Sequence, residues 1–384
     1  MHLNFLIYSY FPFGGLQRDF LRVAKECMSR GHSITVYTLN WDGDTPDGID
    51  VILVPVTKQN RIKRNEAYTE WVQAALSQRD NSLVIGFNKM PFLDIYFAAD
   101  PCFMEKATEQ RGFYYKFTSR YKHFKKYEEA VFAASQRTEV LILSPQQRTA
   151  FEKYYRDCGP RLRQVPPGIS IDRKVDIIDR KIGIKLRSDL GLAATTKLLL
   201  QVGSGFRVKG VDRALRAMAA LPKLELENCH YLLIGQGNPD RYLRLAKKLG
   251  IAEQFTVLGG RDDIPRFLAT ADLLLHPAYS ESAGYMLLEA TIAGLPVLTT
   301  STCGYAFHIE QAKSGLVCSD PFEQSQLNSY LAQMLGSLDT ADWSKNGLEY
   351  GRQDELYSQA SAVADFFEEF LAREAWGAAY ALSE

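Results

Sequence analysis

Two carboxylates, Glu281 and Glu289, stand eight positions apart in HPAYSESAGYMLLEATIAGLPVL, residues 276–298. Three small residues, Ser282, Ala283 and Gly284, follow the first of them. Ahead lies the apolar run Asp272 to His276, which reads as a buried parallel strand. Behind lies MLLEATIAG, which reads as an amphipathic helix stopped by Gly294 and Pro296. The chain thus leaves a strand, turns at Glu281 and enters a helix near Gly284. A helix start offers free backbone N–H groups and the positive end of a dipole, a seat for phosphate. Glu281, in the turn, is placed to meet a polar ligand. Glu289 lies about a turn and a half into the helix, within reach of a ribose hydroxyl. The plain alternative is a surface acid and an ordinary helical acid.

Other residues could join such a site. Gly14 and Gly15 follow the first strand and precede a helix, where a bare backbone can approach a diphosphate closely. Asp19, expected in the first turn of that helix, serves either the helix dipole or a sugar hydroxyl. Lys209 precedes Gly210 and opens a helix after the strand KLLLQVG. Asp100 ends GFNKMPFLDIYFAAD just past a strand, and it either enters the site or caps the helix after Pro101. Asp42-Gly43-Asp44 is a pair of hard oxygen ligands, but it lies in the polar loop WDGDTPDG and reads as a turn. The six histidines show no ligand spacing, and His276 reads as a support for the site.

A further segment stands apart. Arg111 to Tyr127 holds six basic residues, seven aromatics and no acid. Drawn as one helix, it puts Phe113, Phe117, Tyr121, Phe124 and Tyr127 on one face. A basic amphipathic helix of this kind reads as a membrane-surface element, with Lys116, Arg120, Lys122 and Lys125 facing anionic lipid. The alternative is a core-packed helix with a solvated basic face. A nucleic-acid partner is not expected, because no nucleic-acid-binding fold accompanies the patch.

The elements that must position these residues alternate. Residues 3–8, 33–39, 50–56, 82–87, 94–99 and 138–144 read as strands, with helices at 16–30, 61–79 and 103–135. A second set of strands follows at 197–203, 230–235, 254–259, 271–276 and 295–300. This is the pattern of doubly wound α/β sheets. The charged stretch after Pro166 and Pro167 marks a junction. Three segments result: 1–168, a Rossmann-like domain for acceptor and membrane; 169–355, a Rossmann-like nucleotide-sugar domain; and 356–384, a helical tail. Ligands belong at the carboxyl ends of the strands.

Composition agrees. A chain of 384 residues suits two domains, and its 46% hydrophobic content supplies real cores. Zero formal net charge leaves any electrostatic attraction to local patches. Six scattered cysteines without C-x-x-C spacing fit a reducing compartment better than a disulfide or zinc framework. The N-terminal residues read as a strand and turn, not a signal peptide, and no apolar run reaches the ~18 residues of a membrane span. A cytoplasmic protein is expected, at most attached to a membrane surface.

The E-x7-E element resembles the signature of the family 4 retaining glycosyltransferases, enzymes of the two-domain GT-B fold. The likeness extends from residue 10 to about 306. It includes YFPFGGLQRDF, GFNKMP with LD and YFAAD, KGVDR, DLLLHPAY, LLEA and AGLPVLTT. The resemblance implies two Rossmann-like domains facing across a cleft, with the last helix crossing back onto the first domain. It implies that Glu281, Lys209 and Asp100 act in catalysis. It places Gly14, Gly15, Asp19, Arg173, Arg207, Lys209, Arg261, Ser282, Ala283, Gly284 and Glu289 around the donor. Lys209 fits the family pattern directly. The family arginine is displaced, with Ser204 in its place and Arg207 nearest. Fixed cations would neutralise the leaving diphosphate, so neither metal nor cofactor is expected. Within this family the likeness points to members that build the lipopolysaccharide core. The implied reaction moves glucose from UDP-glucose to a heptose of the inner core, at the cytoplasmic face of the inner membrane. Ser282 and Tyr285, near the donor sugar, leave a UDP-N-acetylhexosamine donor or another membrane glycolipid acceptor as the alternative. A catalytically silent membrane-binding protein is the remaining one.

Overall fold

The computed structural model describes residues 1–12, 14–58, 60–77, 82–170, 173 and 180–381. The chain divides into two compact units, Met1–Gly168 with Ser358–Glu384, and Ile169–Tyr357. Each is built on a parallel sheet.

The strands of the first unit are β1 His2–Leu6, β2 Ser9–Tyr10, β3 Ser33–Thr38, β4 Asn40–Trp41, β5 Ile49–Leu53, β6 Ser82–Gly86, β7 Ile95–Ala98, β8 Glu139–Ile142 and β9 Leu162–Gln164. Seven form one sheet in the order β5-β3-β1-β6-β7-β8-β9, and β2 pairs with β4. In the central strands Leu3, Phe5, Val36, Ile85 and Phe97 are fully buried. Burial on both faces explains why these strands read as continuous apolar runs. The order reverses direction between β1 and β6, which opens a crevice at their carboxyl ends.

The second unit contains β10 Lys197–Val202, β11 Cys229–Ile234, β12 Phe255–Leu258, β13 Leu273–His276, β14 Val297–Thr300 and β15 Gly315–Cys318. Their order is β12-β11-β10-β13-β14-β15, all parallel. Here the reversal falls between β10 and β13. The loops after those two strands carry Lys209 and Glu281.

The chain returns to the first unit at Ser358 and ends in the helix Gln359–Ala381. Phe367 packs edge-on against Phe5, with ring centroids 6.1 Å apart. Arg30 donates to Asp365 at 2.6 Å, and His32 Nε2 contacts Glu368 at 2.8 Å.

Three expectations need correction. Strands β9 and β15 had no strong apolar run and escaped the sequence reading. β15 is half-buried along three of its four residues, and β9 continues from Leu162 into Arg163 and Gln164. The segment 103–135 is not one helix. It forms Phe103–Glu109, a 3-10 turn over Phe113–Phe117, and Ser119–Phe132. The first helix closes at Gln110, Gly112 is extended ahead of the 3-10 turn, and Thr118 starts the next helix by accepting from the Tyr121 N–H at 3.2 Å. Asp19 lies in the second turn of the helix Gly15–Ser29, not the first. All six cysteines are free and buried. Among the described residues, no helix is long and apolar enough to cross a membrane.

Candidate active site

Lys209 and Glu281 are neighbours across 72 positions of sequence, their side chains joined in an ion pair. Glycine geometry sets this up. Gly210 has φ +71°, and a Cβ there would lie 1.9 Å from the Pro277 carbonyl oxygen. Only glycine lets the loop after β10 pass so close to the chain leaving β13. The Gln201 side chain donates to the Lys209 carbonyl at 2.6 Å, and Tyr279 N–H donates to the Val208 carbonyl at 2.8 Å. The Lys209 backbone is therefore fixed before its side chain reaches anything.

Glu281 is held on both carboxylate oxygens. Oε1 takes Lys209, and Oε2 meets Nε2 of the fully buried His276 at 2.7 Å. A carboxylate only accepts, so that imidazole nitrogen carries the proton. Burial by itself would push the Glu281 carboxyl up. The charges of Lys209 and His276 outweigh it and pull the pKa down to about 2. The residue is an anion at any physiological pH, yet its side chain keeps 18% of its exposure, enough to accept from a ligand hydroxyl. Its backbone is pinned to the turn after β14. Glu281 N–H donates to Thr302, Gly304 N–H returns to Glu281, and Tyr305 N–H donates to Ala283 at 2.7 Å.

Gly284 follows with φ +105° and caps the helix Tyr285–Ile292. Ala283 and Glu289 are buried. Ser282 sits half-buried in the turn. The expected strand, small-residue turn and helix are therefore present, with both carboxylates on them.

The arginines fare differently. Arg207 is exposed in the loop before Lys209. Arg261 is engaged by Asp263 through two bonds of 2.6 and 2.8 Å, which raise its already high pKa. It must leave that carboxylate to contact a donor. Arg173 is half-buried, its N–H bonded to the Ser170 carbonyl. Arg213, which the sequence did not flag, donates to the Ala278 carbonyl at 3.1 Å and stacks on Tyr279 and Phe322. It braces the strand exit that carries Glu281.

In the first unit, Gly14 is the N-cap of Gly15–Ser29 and supplies no side-chain cap to that helix start. A Cβ at Gly14 would fall 1.8 Å from the Gln17 side-chain oxygen. Asp19 is buried and paired with Arg22. Asp100 is exposed just past β7 and does not cap the following helix. That role falls to the fully buried Glu128, which accepts from Phe103 N–H at 2.7 Å and Met104 N–H at 2.9 Å and pairs with Lys89.

The basic segment departs most from expectation. Tyr121 and Tyr127 are core residues, whereas Phe113, Tyr114 and Phe117 are 67%, 85% and 65% exposed on the 3-10 turn. The exposed apolar surface thus comes from the turn and not from one face of a long helix. Lys116 and Lys122 are exposed, and Lys125 pairs with Glu129. Arg120 lies over the Phe124 ring and lines a cavity.

Among the described residues, His276, Glu281 and Cys303 place ligand atoms within 4.8 Å of one another. Lys209 already occupies the Glu281 carboxylate, and burial pushes the Cys303 thiol up to about 11, so it stays protonated. Asp42 and Asp44 sit in an exposed loop around Gly43 at φ +101°.

Two units, each built on a parallel sheet of this order, give the chain the GT-B architecture. The chain belongs to the glycosyl transferases group 1, whose family model matches residues 184–349. It is 44% identical over 367 residues to lipopolysaccharide glucosyltransferase WaaG of Escherichia coli (strain K12), covering 95% of this chain and 98% of that one. The crystal structure of WaaG, a glycosyltransferase involved in lipopolysaccharide biosynthesis, matches with a TM-score of 0.88 at 43% identity, over 95% and 99% of the two chains. Anabaena HepE in complex with UDP-glucose matches at a TM-score of 0.73 over 97% of this chain. At 19% identity that likeness speaks for the fold alone.

Proposed function

We propose that this protein transfers glucose from UDP-glucose, with retained anomeric configuration, to a heptose of the lipopolysaccharide inner core. The observation that carries the reading is the Glu281 carboxylate held between Lys209 and His276, in a chain so close to WaaG. Glu281 orients the donor hexose through its hydroxyls. Lys209 and the helix start at Gly284 stabilise the charge that develops on the leaving diphosphate. Glu289 binds the ribose. The acceptor hydroxyl oxygen attacks the anomeric carbon from the leaving-group side. The bond to the diphosphate breaks, UDP departs, and a diphosphate oxygen takes the acceptor's proton. Fixed cations supply the electrostatics, so no divalent metal is required.

The same reading places the enzyme on the cytoplasmic face of the inner membrane. Phe113, Tyr114 and Phe117 would enter the interface, and Lys116 and Lys122 would favour anionic headgroups. The test is incubation with inner-core lipopolysaccharide that lacks hexose, with UDP-glucose or UDP-N-acetylglucosamine, with and without EDTA. Product mass and anomeric proton coupling are read. A single added α-glucose, insensitive to EDTA, is expected. No transfer, an added N-acetylhexosamine, or an inverted linkage overturns the corresponding part of the proposal.

A further inference from the structure

The first unit encloses a cavity of about 310 Å³. Tyr8 beyond β1, Asn88 and Lys89 beyond β6, and Asp100 beyond β7 contribute to its wall. It therefore occupies the switch point of the first sheet, where open α/β sheets bind ligands, and its volume suits a small ligand.

Its charge is lopsided. Arg61, Lys89, Lys106, Arg111 and Arg120 line it, against the single acid Asp100. Lys89 is neutralised by the buried Glu128. For the other four, no carboxylate lies at ion-pair distance among the described residues. Burial pushes the Lys106 pKa down and outweighs the opposing charge of Asp100, so a further anion at ion-pair distance would relieve the remaining cost. Arg111 and Arg120 lie over the rings of Tyr115 and Phe124 at 5.6 and 5.5 Å. A guanidinium over a ring face keeps its N–H groups free to bind an oxyanion.

A second observation narrows the ligand. His123 lines the same cavity and is only 4% exposed. Its Nδ1 meets Glu66 at 3.2 Å, and its Nε2 has no partner among the described residues. Burial lowers its pKa and so favours the neutral ring. With the proton on Nδ1, facing the carboxylate, Nε2 can only accept. An acceptor nitrogen wants a hydroxyl, and four unpaired cations want an acid. Phe103 and Phe124 add apolar walls for a sugar's C–H face.

We infer that this cavity selects an acceptor sugar that carries an acidic group, a carboxylate or a phosphate, beside one of its hydroxyls. The inference rests on the acceptor reading above. The Arg61, Lys106, Arg111 and Arg120 cradle holds the acid, and His123 Nε2 takes a hydroxyl.

The test reads binding apart from turnover. Delipidated, hexose-free inner-core oligosaccharide is titrated into the full-length protein in three forms: untreated, with its carboxyl groups reduced to alcohols, and dephosphorylated. Lipid is absent, so headgroup binding does not contribute. The untreated form should bind. One treated form should bind at least about tenfold more weakly, the effect of losing hydrogen bonds to a charged group, and that form identifies the acid. Lys106→Gln and Arg61→Gln should weaken the untreated form by a similar factor and the form lacking that acid by less than about twofold. Both variants should keep wild-type UDP affinity, which reports a folded protein. Equal affinity for all three forms, equal losses on all forms in the variants, or no binding of the untreated form would overturn the inference. Glucose transfer is measured in parallel. Oligosaccharide that binds as described but receives no glucose would overturn the proposed function and leave the cavity assignment standing.

Discussion

The two sheets share an architecture and use charge in opposite ways at their switch points. Beyond β10 and β13 the central charge is matched, with Lys209 and His276 closing on Glu281 from both sides. Beyond β1, β6 and β7 four cations share a cavity with the single acid Asp100, and none of them forms an ion pair among the described residues. In a matched pair the attraction offsets the cost of burial, and the pair presents a carboxylate whose ionisation is already decided. A cluster with excess positive charge carries self-repulsion that an anionic ligand relieves. The first arrangement suits fixed chemistry, and the second suits selection.

The hardest blow to the matched side is Glu281→Gln. The amide keeps the shape but loses the anion between Lys209 and His276. Turnover with UDP-glucose should fall by about 10²–10³, the usual cost of one transition-state hydrogen bond, while UDP affinity changes little. A mutant with wild-type kcat would remove Glu281 from the mechanism and leave the comparison without its first half.

Glu289→Ala should move the other parameter. Its buried carboxylate sits on the helix that starts at Gly284. A hydrogen bond to a charged group contributes about 1.5–3 kcal/mol, so calorimetry should show UDP bound at least about tenfold more weakly. Unchanged affinity in a folded mutant would return Glu289 to a packing role.

A smaller effect concerns pH. His308 lies on the helix Ala306–Ala312, next to the turn that pins Glu281, and contacts the Tyr350 hydroxyl at 2.6 Å. Burial pulls its pKa from 6.5 down to about 4. Below 6.5 the unfolded chain takes up a proton that the folded chain refuses until about 4. Stability therefore declines as pH falls through that window and levels off beneath it. The loss should reach about 2 kcal/mol at about pH 5. Glu281 has the opposite sense. Its depressed pKa gives stability that is complete above the ordinary carboxyl value of 4.5 and is lost only as pH falls toward about 2. Urea unfolding at about pH 7.5 and about pH 5 should show the His308 loss, and His308→Gln should remove it. A variant that loses as much as wild type would assign the decline elsewhere.

Much of this molecule was legible in its residues. Apolar runs bounded by turns marked the main strands of both sheets, because strands buried on both faces cannot hide their composition. The spacing of Glu281 and Glu289 around Ser282, Ala283 and Gly284 marked a strand, turn and helix, since each signal is local. Lys209 before Gly210 was visible for the same reason. Local pattern misled where a chain break was small. The aromatic spacing from Phe113 to Tyr127 suits one helix, yet Thr118 ends one element and caps the next. A wheel drawn through that point put Tyr121 and Tyr127 beside Phe113 and Phe117, and packing separated them into core and surface.

The sequence by itself determined the elements and the chemistry they could carry: two parallel α/β sheets, two carboxylates around a helix start, and a lysine at another. Only the tertiary structure decided which groups meet. Lys209 reaches Glu281 because β10 lies beside β13, although β11 and β12 come between them in the chain. Arg61, Lys106, Arg111, Arg120 and His123 share one cavity because β1, β6 and β7 end side by side. Periodicity reports the exposure of each residue along its own element. Charge pairing depends on the order of strands in the sheet, and that order is settled by packing between segments far apart in sequence.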